Sequence, residues 1–152
     1  MHLRLAVLLA AALLAPHPVW SQFRQVASCP PAIDWGFPEI HTLHAAWGKI
    51  YMGYGDWNPH PGPVILTSYD PTTGAVTAEA THHSDAIGVI REIDNALYLP
   101  SIDPIHYQHF EDYLVIHRDG RLESRTPGGF LHLFDLFKSR GGVLWGVGSA
   151  YP

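Results

Sequence analysis

Two short stretches hold side chains suited to chemistry. The first is Asp56-Trp57-Asn58-Pro59-His60-Pro61-Gly62, and the second is Ser101-Ile102-Asp103-Pro104-Ile105-His106-Tyr107-Gln108-His109. Carboxylate, amide and imidazole groups beside Trp and Tyr suit a sugar. The rings can stack on the apolar face of a pyranose, and a few hydrogen bonds can fix its hydroxyls. The candidate ligand-binding residues are Asp56, Trp57, Asn58, His60, Asp103, His106 and Tyr107, with His132 further along the chain. Trp57 and Tyr107 could instead pack beneath their own loops. Asp56 and Asp103 could form the carboxylate pair of glycoside chemistry if their separation allowed it.

The 11 histidines also permit metal ligation, because imidazole is the commonest protein metal ligand. His82-His83 and His106-x-x-His109 are the weak candidates, and no cofactor is expected. Gly-x-Ser-x-Gly and phosphate-loop motifs are absent.

These residues need a scaffold, and the scaffold is written as a repeat. Ile50, Leu97 and Leu144 stand 47 residues apart, and the aromatics that follow them, Tyr51, Tyr98 and Trp145, keep the same step. Each anchor follows another apolar run: Ile40 to Leu43, Ile87 to Ile90, and Leu131 to Phe134. Short hairpins carrying Gly48, Asp94-Asn95 and Gly141-Gly142 join run to anchor. Third strands are expected over 64–69 and 113–117. They end in the turn signals Asp70-Pro71-Thr72-Thr73-Gly74 and Asp119-Gly120. More polar fourth strands follow near 75–80 and 121–125. The expectation is an all-β chain of four antiparallel strands per 47 residues. A β-sandwich is the alternative.

Over residues 40–152 the chain resembles β-propeller proteins of the broad kelch and quinoprotein-like kind. Ser68-Tyr69-Asp70-Pro71-Thr72-Thr73-Gly74 looks like the outer-strand turn of such blades. The narrower kelch, WD40 and sialidase signatures are absent. The resemblance implies a partial β-propeller of about two and a half blades, at 40–86, 87–129 and a half blade at 130–152. It also implies that the loops after each second and fourth strand share one face. That face would gather the two stretches above with His82-His83-Ser84-Asp85, while the innermost strands add His41, His44 and His132. Propellers close with ~4–8 blades, so further blades or other copies of the chain are expected for closure. A fragment of a longer protein is the favoured explanation.

Composition narrows the classes. The 152 residues include 14 Gly and 13 Pro, and only 15% are charged. That suits short strands and tight turns. A formal net charge of −5 speaks against nucleic acid. One cysteine excludes an internal disulfide. Arg4, the apolar run Leu5 to Leu14, and Pro16 and Pro18 read as a signal peptide over 1–21, cut before Gln22. Residues 22–39 form an extension. Val26-Ala27-Ser28-Cys29 resembles a lipobox displaced from the apolar run, so lipid attachment at Cys29 is the lesser alternative. The chain is therefore expected to be secreted or periplasmic, with no transmembrane segment. It is expected to bind a ligand or partner, with carbohydrate or another small molecule foremost. A carbohydrate hydrolase or lyase completed by further blades, and a structural piece with no activity of its own, are the alternatives.

Overall fold

The computed structural model describes residues 39–55, 62–102, 113–125 and 130–150. The signal-peptide segment, Cys29 and nearly all of the extension lie outside them. All regular structure among the described residues is β. The strands are β1 (Glu39–Ala46), β2 (Lys49–Gly55), β3 (Val64–Tyr69), β4 (Val76–His82) and β5 (Arg91–Ile93). They continue as β6 (Ala96–Pro100), β7 (Tyr113–His117), β8 (Leu122–Arg125), β9 (Phe130–Lys138) and β10 (Leu144–Ala150). Strands β1 to β4 form a first sheet in chain order, β5 to β8 a middle sheet in chain order, and β9 and β10 a third sheet. All pairings are antiparallel.

Local chemistry sets the turns. Trp47-Gly48 and Asp94-Asn95 are two-residue hairpin turns with positive φ at both positions. This geometry matches the natural twist of paired strands. At the β3–β4 turn, Asp70 Oδ1 accepts the Thr72 N–H at 2.7 Å, and the Gly74 N–H returns to the Asp70 carbonyl at 2.8 Å. Those hydrogen bonds favour the charged carboxylate and hold Asp70 below its usual pKa. The β7–β8 turn is closed by Gly120 N–H to the His117 carbonyl at 2.9 Å.

The three anchor residues sit near the turn ends of their strands. Ile50 pairs with Ala45 just beyond the β1–β2 turn, and Leu97 pairs with Glu92 just beyond the β5–β6 turn. Leu144 takes the same place on β10, opposite Lys138. Leu97 is fully buried, whereas Ile50 and Leu144 are half-buried.

The core is double. Side chains alternate across a strand, so β6 and β7 send residues to both faces of the middle sheet. Leu97, Leu99, Leu114 and Ile116 join Tyr51, Val64, Leu66 and Ala80 of the first sheet. Ala96, Tyr113 and Val115 join Leu133 and Leu136 of the third, with Tyr98 and Leu144 packed alongside. The outer strands are the wet ones: β8 has no buried residue, and β4 is exposed over its first three.

Two expectations are corrected. Ile87 to Ile90 is not a strand. The Ile87 N–H donates to the Tyr54 carbonyl at 2.9 Å, so this backbone is committed to the first sheet, and strand pairing with β6 begins only at Arg91. An inner strand left without a further neighbour is expected to expose Leu131, Leu133, Phe134 and Phe137 on an apolar flank; on β9 Leu133 is instead buried against the middle sheet, while Phe134 and Phe137 are exposed.

Gly53 is required where the first two sheets meet. A Cβ there would lie 2.5 Å from the Ile87 carbonyl oxygen and 2.6 Å from Ile87 Cγ2. At Gly141 a Cβ would meet only Ser139 Oγ, at 3.9 Å. Gly53→Ala is expected to cost ~1–3 kcal/mol through overpacking. Gly141→Ala should stay within about 0.5 kcal/mol of the parent. Paired denaturant titrations check this, and equal midpoints for the two variants would contradict the packing.

Candidate functional site

The segment from His82 to Ala86 leaves β4 and crosses to the middle sheet. It meets Gly55, Gly62 and Ile102, which flank the segments 56–61 and 103–112, and both segments lie outside the described residues. Ala86 bridges Gly55 on one side and Ile102 on the other. Asp85 Oδ1 accepts the Gly62 N–H at 3.2 Å, and the Asp85 N–H donates to the Ile102 carbonyl at 3.3 Å. Ser84 Oγ accepts the Ile102 N–H at 2.9 Å and donates to the Ile102 carbonyl at 2.6 Å, with the Ala86 carbonyl 3.0 Å away. Gly55, at φ +134°, makes the approach possible: a Cβ would fall 2.3 Å from the Asp85 carbonyl oxygen. One connector therefore fixes both stems of the first loop and the leading stem of the second.

The floor at this end is polar. His82, Ser84, Asp85 and Ser101 are all buried. His82 Nε2 lies 3.4 Å from the Pro100 carbonyl and 3.3 Å from Ser101 Oγ. A carbonyl only accepts, so Nε2 carries the proton there. Nδ1 has no partner. Burial lowers the His82 pKa to about 4, so the ring is neutral at pH 7. In this tautomer Nε2 meets Ser101 Oγ as a donor, and among the described residues no carboxylate meets the other nitrogen.

Of the residues singled out in the sequence, Asp56, Trp57, Asn58, His60, Asp103, His106, Tyr107 and His109 lie outside the described residues. Their loop stems are brought together as above. His41 lies at this end, with Nε2 2.5 Å from the Gly55 carbonyl. His132 also belongs to it, half-buried and stacked on Phe134 at 6.0 Å beside Leu133, whose N–H donates to the Ser101 carbonyl at 2.9 Å. His44 does not, since it faces Glu92 at 3.6 Å toward the other end of the sheets. His82, the last residue of β4, is buried and His83, just past it, is exposed, so the two rings do not share one site. Among the described residues, no three His, Cys, Asp or Glu side chains converge as a metal set.

A second feature escaped the sequence reading. At the hairpin end, a cleft of about 640 Å³ between β5 and β9 is lined by Arg91, Asp94, Asp135, Lys138 and Arg140. Arg91 grips Asp135 with two hydrogen bonds, 2.8 and 2.6 Å, and Lys138 pairs with Asp94. The hydrogen bond to Arg91 holds the Asp135 carboxyl below its usual pKa, and Arg91 is raised in turn. Both pairs join residues 44 apart, and that spacing of opposite charges is the signal that could have revealed them. They are exposed pairs, worth ~0–1 kcal/mol each.

The chain matches no protein-family model, no curated protein and no solved structure. No helix among the described residues is long and apolar enough to cross a membrane.

The His82 burial has a signed consequence. Its folded pKa, about 4, lies below the ordinary 6.5, so the unfolded chain takes up the proton first. The stability linked to the neutral ring is full above pH 6.5 and falls as the pH drops toward 4. The loss approaches roughly 3 kcal/mol over that window. Denaturant titration at stepped pH is expected to show this slope, and His82→Leu should flatten it between pH 6.5 and 4. An unchanged slope in the variant would exclude His82 as its source.

Proposed function

We propose that the three sheets are successive blades of an incomplete β-propeller, about two and a half in number, in an exported chain. We further propose that it binds a carbohydrate or similarly hydroxylated small molecule at the end where loops 56–61 and 103–112 emerge. The observation that carries this reading is the connector from His82 to Ala86, which holds the stems of both loops on one buried polar floor. Preformed stems lower the ordering cost that a binding loop otherwise meets on association. The loops supply Trp57 and Tyr107 for stacking, and Asp56, Asn58, His60, Asp103 and His106 for hydroxyl recognition. His132 on β9 flanks the same end.

Titration calorimetry against a panel of oligosaccharides tests the proposal. Trp57→Ala and Tyr107→Ala are each expected to weaken binding ~3- to 10-fold, in line with ~0.5–1.5 kcal/mol for a lost ring contact, without lowering the melting temperature. Asp56→Asn and Asp103→Asn should weaken binding without abolishing any turnover of the sugar. Loss of a measurable turnover in those two variants would favour the hydrolase or lyase reading. Absence of binding to the whole panel would count against a carbohydrate ligand.

A further inference from the structure

Each sheet-to-sheet contact in the chain has a plug and a socket. The plug is a pair of aliphatic residues three apart, in or just before the first strand of a sheet. Ile87 and Ile90 are buried in the core shared with the first sheet. Leu133 and Leu136 are buried against the middle sheet. The socket is the second-strand aromatic of the preceding sheet. Tyr51 is only 3% exposed in the first core, and Tyr98 packs against the second.

Leu133 and Leu136 stand 46 residues after Ile87 and Ile90, and strand pairing matches them to Ile40 and Leu43: Leu136 and Leu43 lie opposite Gly146 and Met52, two beyond Leu144 and Ile50, and Leu133 and Ile40 lie opposite Gly148 and Tyr54, four beyond. Plug and socket positions recur on the outer sheets, and there they are exposed. Ile40 and Leu43 stand 47 residues before Ile87 and Ile90, on the first sheet, and are 48% and 63% exposed. Trp145 stands 47 residues after Tyr98, on the third sheet, and is 53% exposed. It stacks on Phe137, also exposed, at 6.3 Å and 10° between ring planes. Among the described residues, no other sheet covers the plug of the first sheet or the socket of the third.

We propose that a second copy of this chain fills them. The Trp145–Phe137 face of one copy seats the Ile40–Leu43 pair of the next, continuing the contact that already joins the sheets within each copy. Such a head-to-tail interface uses two different patches, so it generates a ring or an open array. Joining exposed apolar faces of this kind is favoured by area removed from water. The proposal rests on the stacked-blade reading. It does not require that the loop end bind a sugar.

Light scattering on size-exclusion fractions, with the exported chain, tests it. The parent should gain mass as concentration rises. Trp145→Glu removes the socket and Leu43→Glu removes the plug, so each variant alone should run at the mass of one chain. Mixed, they retain one good socket and one good plug, and should form a dimer that grows no further. Circular dichroism melts verify folding; Val147→Lys and Ile40→Lys replace either variant that fails to melt cooperatively. A parent that stays monomeric at every concentration would overturn the proposal. So would a mixture that remains monomeric, or association of the plug variant with itself, which would indicate face-to-face pairing of sockets. Sugar titration on the monomeric variants reads the loop end separately, so failure of either reading leaves the other measurable.

Discussion

Burial of the middle sheet on both faces is the constraint on which the rest depends. A sheet with one wet face needs only one apolar set. Here β6 and β7 must satisfy two cores with alternating residues: Leu97, Leu99, Leu114 and Ile116 toward the first sheet, and Ala96, Tyr98, Tyr113 and Val115 toward the third. A one-residue slip of either strand would exchange the two sets. The small Ala96 would then face the space now filled by Leu97. Gly53 sharpens the requirement, because Ile87 packs where a side chain would otherwise be.

The loop end follows from this stacking. Once the first and middle sheets are fixed face to face, the connector between β4 and β5 has to cross the gap between them. Crossing buries its backbone, and buried backbone polar groups must be paired. The stems of the neighbouring loops supply the partners: Gly62 N–H for Asp85, and Ile102 for Ser84, Asp85 and Ala86. Ser84 and Asp85 therefore serve as internal braces, and the recognition groups of the proposed site are left to the loops themselves.

Much of this was legible in the sequence. The 47-residue step fixed the second strands, and Asp70 and Asp119-Gly120 marked the turns after the third strands because their side chains and φ angles suit only turns. The first strand of the middle sheet was misread for a physical reason. Ile87 to Ile90 is apolar because it plugs the first core, and not because it pairs with β6. Burial and strand pairing leave the same pattern over four residues. The loop end was legible as a set of residues, but not in its roles. His82, Ser84 and Asp85 read as exposed recognition groups, whereas tertiary crossing buries them. The Arg91–Asp135 and Lys138–Asp94 pairs left only a shared 44-residue spacing of opposite charges as a signal, since no local pattern sets the facing of two separate sheets.

The central claim is that alternate residues of one strand serve two different cores. Nuclear Overhauser contacts between methyl groups and aromatic rings test it most directly. The account predicts that the Leu97 and Leu99 methyls see the Tyr51 ring, while the Tyr98 ring sees the methyls of Leu133 and Leu136. Contacts from Leu97 and Tyr98 to the same neighbouring sheet would contradict it.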